Sequence, residues 1–110
     1  TKSAAVGYEA ATSRWPKKSL AWLGLGNSYY AQGDLDSAKQ SYSQLLMIEP
    51  NHAVALNNLS QVQADQGCYV EAAATLDAAL VAAKAHPPTY EIIMKSRQEI
   101  GARSSSAACL

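Results

Sequence analysis

The sequence carries no excess of charge of either sign, since Lys and Arg together number nine and so do Asp and Glu. A surface without one dominant sign of charge creates no long-range field that would draw the chain to nucleic acid or to an anionic membrane. A run of about 18 apolar residues, which a membrane-spanning helix needs, is also missing. We therefore expect neither nucleic acid nor a membrane as a partner.

The start of the chain lacks the features of a leader peptide. Residues 1–5 contain neither an initiator Met nor the basic and then apolar order of a signal peptide. This start predicts that the chain is a part of a longer protein. With 48% apolar residues in a chain of 110, the sequence has enough material for one buried core.

Cysteine is scarce, with Cys68 and Cys109 as the two residues of this type. Two cysteines without a C-x-x-C pair are too few for a disulfide framework and have the wrong spacing for zinc. No positioned base accompanies Cys68, so a nucleophilic role is not indicated. We interpret Cys68 as a structural thiol, buried or half-exposed, and the localisation stays open between cytoplasm and periplasm.

The sequence does contain an internal repeat. Residues of the same kind recur at an offset of 34 positions. Some are small or apolar residues at helical spacing, and others are Gly or Pro at breaks, which is the pattern of a repeated pair of helices. The aligned sets are Ala4, Ala38 and Ala72; Tyr8, Tyr42 and Leu76; Ala11, Leu45 and Ala79; Pro16 and Pro50; and Gly33, Gly67 and Gly101.

The most regular copy of the repeat shows how its breaks arise. Trp22, Leu25 and Tyr29 form the apolar stripe of a first helix. Gly33 ends that helix, because glycine tolerates the left-handed conformation, and two Asp residues follow where a second helix begins. The second helix ends at Pro50, which has no amide hydrogen to donate.

The repeat register divides the chain into five segments. Residues 1–16 form the second helix of a truncated preceding repeat, 19–52 and 53–86 are two full repeats, 87–102 form a C-terminal capping helix, and 103–110 are a flexible tail. The second full repeat has Lys84 in place of a proline, so its last helix is predicted to continue to residue 85. Gly101 is expected to form a third turn.

The stretch "AWLGLGNSYYAQGDLDSAKQSYSQLLMIEPNH", residues 21–52, resembles the tetratricopeptide repeat. The resemblance implies an all-α fold, a right-handed α-solenoid of antiparallel helix pairs, in which the first helix of each repeat lines a concave groove for an extended peptide or a partner helix. The family pattern of Trp, Leu, Gly, Tyr, Ala, Phe, Ala and Pro is met, with conservative changes at two places, by Trp22, Leu25, Gly26, Tyr29, Ala38, Tyr42, Leu45 and Pro50.

The resemblance also places polar side chains in this groove, where amides can pair with the backbone of an extended peptide. Family members that hold acidic chaperone tails use two Asn and several basic residues. Asn27 and Asn58 match the two Asn, but the basic positions hold Leu23, Pro88 and Ile92, so a neutral or mixed peptide is expected instead. The predicted peptide-contacting residues are Leu23, Asn27, Tyr30, Asn57, Asn58, Gln61 and Lys95.

Asn27 and Asn58 have an alternative interpretation. As residues of the repeat consensus they would bond to a neighbouring helix or to water, as most side-chain amides do.

The two glycines before Asn27 are also ambiguous. Gly24 and Gly26 lack the preceding strand and the third glycine of a dinucleotide-binding loop, whose place is taken by Tyr29. We assign Gly26 to a close contact between paired helices and Gly24 to an opening in the groove.

The sequence predicts neither an enzyme nor a cofactor. His52 and His86 occupy the same inter-repeat loop position, and no further ligand joins them, so no metal site is expected.

The expected function is a protein–protein interaction module that binds a peptide or partner segment, as the repeat part of a larger bacterial protein. Two alternatives stay open. One is an architectural or weakly self-associating domain, and the other is an accessory domain of a papain-like bacterial peptidase, whose C-terminal repeats have a similar layout.

Overall fold

The computed structural model describes residues 2–103 and 109, with side chains from residue 4 onward, and every regular element in this part of the chain is a helix. The all-α fold is thus confirmed, while the right-handed superhelical path stays a prediction. The helices are α1 (Lys2–Arg14), α2 (Ser19–Ala31), α3 (Leu35–Ile48), α4 (Ala53–Asp65), α5 (Tyr69–Ala82) and α6 (Pro87–Gly101). Among the helices described, none combines the length and the apolar content required to cross a membrane.

The helices fall into two compact units, residues 1–50 with α1 to α3 and residues 51–110 with α4 to α6. In unit 1, α2 packs against both α1 and α3. In unit 2, α5 packs against both α4 and α6. Each unit is therefore held together by its middle helix.

The same glycine turn closes the first helix of each full repeat. Gly33 has φ 79° and Gly67 has φ 81°, both in the left-handed region that favours glycine. The amide of the following residue then donates back across the turn, from Asp34 to the Tyr29 carbonyl at 2.9 Å and from Cys68 to the Gln63 carbonyl at 2.8 Å. This bond to the carbonyl five residues back is the mark of a Schellman helix end, and it reverses the chain within three residues.

Two expected helix ends are wrong. Gly101 makes no third turn, because it is the last residue of α6 and has no positive φ; the next amide, of Ala102, still donates to the helix at 3.2 Å. Helix α5 ends at Ala82 and does not reach residue 85. The residues after it form a turn in which the His86 amide donates to the Ala83 carbonyl at 2.8 Å, so a turn ends this helix without a proline.

The recurring apolar residues of the sequence form the two cores. The three recurring side chains of α3 are at most 1% exposed, and their counterparts on α5 are fully buried. The positions that recur at the repeat period are therefore those that face the interior. The residues concerned are Ala38, Tyr42 and Leu45 in unit 1 and Ala72, Leu76 and Ala79 in unit 2.

A disulfide bond joins Cys68 to Cys109 in unit 2. The expectation that Cys68 is an unpaired structural thiol is therefore wrong, although its burial, at 3% exposed, is as predicted. The partners are 41 residues apart in sequence, so they become neighbours only when α5 and α6 have folded. Most of the predicted flexible tail, 104–108 and 110, lies outside the described residues.

Candidate functional site

The predicted groove residues are divided between the two units. Leu23, Asn27 and Tyr30 lie on α2 of unit 1, where Leu23 is half-buried and the other two are exposed. Four lie in unit 2, where the α4 residues are half-buried and the lysine of α6 is exposed. These four are Asn57, Asn58, Gln61 and Lys95.

In unit 1, Asn27 has a structural role. Its Oδ1 accepts a hydrogen bond of 2.5 Å from the hydroxyl of Tyr42, which is 1% exposed. A buried hydroxyl without a partner is costly, so this bond helps to hold α2 on α3. The alternative stated for Asn27, a bond to a neighbouring helix, is what the structure contains. Contact of Asn27 with a peptide stays a prediction.

The two glycines of α2 have different neighbours. A Cβ on Gly26 would lie 2.5 Å from the Tyr42 ring, so the assignment of Gly26 to a close helix contact is confirmed. A Cβ on Gly24 would overlap the Tyr8 ring of α1. Gly24 therefore lies under an aromatic side chain, and its assignment to an opening in the groove is wrong. The sequence could not show this, because the position of α1 depends on packing.

In unit 2, a polar row runs along α4 at a spacing of four residues. It consists of Asn57, Gln61 and Asp65, which share one face of the helix. The Oδ1 atom of Asn57 is buried and has no hydrogen-bond partner in the described part of the chain. Buried acceptors are nearly always paired, so this atom is an exception that calls for a donor.

Two members of this row, Gln61 and Asp65, line a cavity of about 410 Å³ between α4 and α6, which the first residue of α5 closes on one side. Of the seven predicted peptide-contacting residues, Gln61 lines this cavity. Ser96 and Glu99 of α6, and Arg103 two residues beyond its end, were not predicted. The lining residues are Gln61, Ala64, Asp65, Tyr69, Ser96, Glu99, Ile100 and Arg103.

The chemistry of this cavity is that of recognition. Its lining offers amide and hydroxyl groups that donate and accept, two carboxylates and one guanidinium. It contains no Cys or His, so a nucleophile with an imidazole base is absent from the lining. Such a surface can pair with the backbone and the charged side chains of another polypeptide.

A larger cavity of about 550 Å³ lies between α2 and α3 of unit 1. Its α2 wall consists of Trp22, Leu25 and Tyr29, which are the consensus core positions of the repeat. None of the predicted groove residues lines it. We therefore take the α4–α6 cavity, which a predicted residue does line, as the candidate site.

Possible metal ligands converge at one place in the described residues. The ligand atoms of Cys68, Glu71 and Cys109 all lie within 4.8 Å of one another. Because the two sulfurs are bonded to each other, they offer no thiolate to a metal in this state. His52 instead accepts a hydrogen bond at Nδ1 from the Ala55 amide at 3.1 Å and caps α4, and His86 precedes α6.

Comparison with known proteins gives one family and no curated relative. The sequence model of the tetratricopeptide repeat matches residues 3–50 and 23–87, which together include most of the chain. No curated protein matches the chain. The matched region ends where α6 begins, so the last helix lies outside it. Repeats of this type are generally non-catalytic protein–protein interaction modules. With its matched sequence, its paired helices and its repeated glycine turns, the chain belongs to the tetratricopeptide repeat family.

Proposed function

We propose that the chain binds an extended segment of a partner protein through the α4–α6 cavity of unit 2. The observation that carries this proposal is the polar lining of this cavity, in which Gln61 and Asp65 continue the row that begins at the buried, unpaired acceptor of Asn57. A peptide backbone supplies alternating donors and acceptors that suit such a row. Enzymatic activity is not part of the proposal.

The charges of the cavity indicate which side chain it takes. Asp65 and Glu99 supply two negative charges, and Arg103 supplies one positive charge. A cavity of about 410 Å³ has room for a long side chain. Because charge-assisted hydrogen bonds are the strongest polar contacts, the cavity is suited to a Lys or Arg side chain of the partner.

A titration followed by NMR tests this proposal. Two nonapeptides of Gly and Ala, one with a central Arg and one with a central Glu, are added to ¹⁵N-labelled protein. We expect amide shifts at residues 61–69 and 96–103 with the Arg peptide and weaker shifts with the Glu peptide. Absence of shifts with both peptides, or shifts outside these residues, would contradict the proposal.

Variants identify the charges responsible. Glu99→Gln is expected to weaken binding of the Arg peptide about threefold, because an exposed ion pair contributes up to about 1 kcal/mol. Glu91→Gln is the matched control, since Glu91 is an exposed carboxylate on the same helix that does not line the cavity. Equal loss in the two variants would show that overall charge, and not the cavity, determines binding.

Self-association is a second candidate function, favoured by an exposed apolar residue on α1. Val6 is 66% exposed and the nearby Tyr8 is 39% exposed. A second copy of the chain would cover this surface. In analytical ultracentrifugation, Val6→Asp should abolish any dimer, and Ser13→Asp, an equal charge at an exposed site of the same helix, should not. A monomer at every protein concentration would reject this candidate.

A role within a larger bacterial protein, including a papain-like peptidase, rests on the layout of the repeats in the sequence. The full-length sequence of the protein tests it. A catalytic Cys and His upstream would support the peptidase assignment, and an upstream region without them would reject it.

A further inference from the structure

We propose that the Cys68–Cys109 disulfide is a redox-controlled clasp on the α4–α6 cavity. The bond ties the residue before α5 to a residue beyond the end of α6, and the loop that it closes contains both helices. Its physiological reductant would be a dithiol, either a small molecule or a protein. The restraint on the two helices depends on the disulfide alone, whereas its effect on peptide binding rests on the proposed function.

The two sulfurs of the bond differ in access. Cys68 is 3% exposed, whereas Cys109 is exposed. A dithiol can therefore attack Cys109, and Cys68 is the leaving group. Cys68 stands at the N-cap position of α5, a helix of 14 residues, and no side chain caps that end. Free amides and the helix dipole stabilise a thiolate there, so departure of Cys68 is favoured.

The exchange proceeds in two balanced steps. A thiolate of the reductant bonds to Sγ of Cys109, the S–S bond breaks, and Cys68 leaves with the electron pair and takes a proton from water. The second thiolate of the reductant then displaces Cys109 and closes the reductant's own disulfide. Two electrons and two protons have passed to the cysteines, and the dithiol has been oxidised.

Glu71 opposes this attack. Its Oε2 accepts a hydrogen bond of 3.0 Å from the Cys109 amide, which holds the chain end against the first turn of α5. Its carboxylate also lies within 4.8 Å of both sulfurs. Because an incoming thiolate carries the same charge, the carboxylate repels it. Glu71 therefore slows opening of the disulfide in two ways. Its hydrogen bond holds Cys109 in place, and its charge repels the incoming thiolate.

The clasp is linked to the cavity at both of its ends. Tyr69 directly follows Cys68 and lines the cavity. Arg103 also lines it and belongs to the segment between α6 and Cys109. When the bond opens, both lining residues lose a covalent restraint. Binding at the cavity is therefore expected to differ between the oxidised and the reduced protein.

Reduction kinetics test the role of Glu71. The oxidised protein is treated with dithiothreitol at low salt, and thiols are trapped by alkylation and counted by mass spectrometry. Glu71→Gln should be reduced about threefold faster, with a smaller difference at high salt because salt screens the repulsion. Glu49→Gln, an exposed carboxylate of unit 1, is the charge-matched control. Equal rates in the two variants would overturn the assignment of Glu71.

Hydrogen exchange tests the clasp without any ligand. Amides of residues 69–72 and 98–103 should exchange faster in the reduced protein than in the oxidised protein. Cys109→Ser should reproduce the reduced state without a reductant. Identical exchange in the oxidised and reduced forms would overturn the clasp.

Peptide binding then separates the clasp from the proposed function. We expect the Arg peptide to bind the oxidised protein and Cys109→Ser with affinities that differ at least threefold. Equal affinities would overturn control of the cavity and leave the binding function standing. Absence of binding to both would reject the binding function, and the exchange measurement would still decide whether the clasp opens.

Discussion

Gly26 and Asn27 are consecutive residues of α2 that act on the same side chain, the phenol of Tyr42. The ring packs where Gly26 has no Cβ, and the hydroxyl donates to Oδ1 of Asn27. One residue thus accommodates the apolar part of a buried tyrosine and the next satisfies its polar part. At the scale of single residues, Asn27, which the sequence predicts as a groove residue, therefore supports the core.

Removal of the Asn27 side chain should destabilise unit 1. Asn27→Ala removes one hydrogen bond from the buried Tyr42 hydroxyl, so we expect the free energy of unfolding in urea to fall by about 1 kcal/mol. In a Tyr42→Phe background the hydroxyl is absent, and the same substitution should cost much less. Equal costs in the two backgrounds would show that the bond contributes nothing.

Two helical glycines make a matched pair for the packing argument. Gly26→Ala places a methyl group 2.5 Å from the Tyr42 ring, and strain of about 1–3 kcal/mol should exceed the gain of about 1 kcal/mol from better helix propensity. Gly7→Ala, in α1, meets no atom within 4 Å and should raise stability by up to about 1 kcal/mol. Thermal unfolding measures both, and a stabilised Gly26→Ala protein would refute the close contact.

At the scale of helices, local chemistry explains what was predictable. Gly33 and Gly67 end their helices because a left-handed residue is needed there, and the sequence shows that need directly. Gly101 looks the same in the sequence, but the following amide continues the helical bonding. The end of α5 after Ala82 is set by a turn that contains neither Gly nor Pro, so the sequence gives no signal for it.

At the candidate site, too, what could be predicted is what local sequence determines, and what could not depends on packing. Gln61 was predicted because the resemblance to the repeat family places it on the first helix of its repeat, which is expected to line the groove. Glu99 and Arg103 were not, because their part in the cavity depends on how α6 packs beside α4. The Cys68–Cys109 bond was missed for a related reason, since spacing along a chain does not give distance in the fold.

The contact between α1 and α2 should weaken in alkali. Tyr29 donates a hydrogen bond of 2.8 Å to the Glu9 carboxylate, and this bond, followed by desolvation and the nearby negative charges, raises the pKa of Tyr29 above 10.0. The folded state thus prefers the neutral phenol. Its contribution is complete below pH 10.0 and is lost as the pH rises through the folded-state pKa.

The measurement compares the unchanged protein with Tyr29→Phe. The difference in unfolding free energy between them should be smaller at about pH 11 than at about pH 8. In a Glu9→Gln background the acceptor is uncharged, so that difference should depend less on pH. A difference that stays constant with pH in the unchanged protein would contradict the role of the Tyr29–Glu9 bond.

At the scale of the whole molecule, the covalent restraint is unevenly placed. Both sulfurs belong to unit 2, and the closed loop of 41 residues spans α5 and α6. Unit 1, by contrast, depends on packing and on bonds such as those of Asn27 and Tyr29. A crosslink lowers the conformational entropy of the unfolded chain within the loop that it closes. The disulfide therefore stabilises the unit that contains this loop, which is unit 2.

Reduction of the disulfide should therefore lower the stability of unit 2 by about 3–4 kcal/mol, the value expected for a loop of this length. Both tryptophans, Trp15 and Trp22, lie in unit 1, so their fluorescence follows that unit, whereas far-UV circular dichroism follows the helices of both. In urea, dithiothreitol should lower the midpoint seen by circular dichroism more than the midpoint seen by fluorescence. The variant Cys68→Ser/Cys109→Ser should not respond to dithiothreitol, which assigns the effect to the bond. If both midpoints of the unchanged protein fell equally, the restraint would act on the whole chain, and its assignment to unit 2 would be wrong.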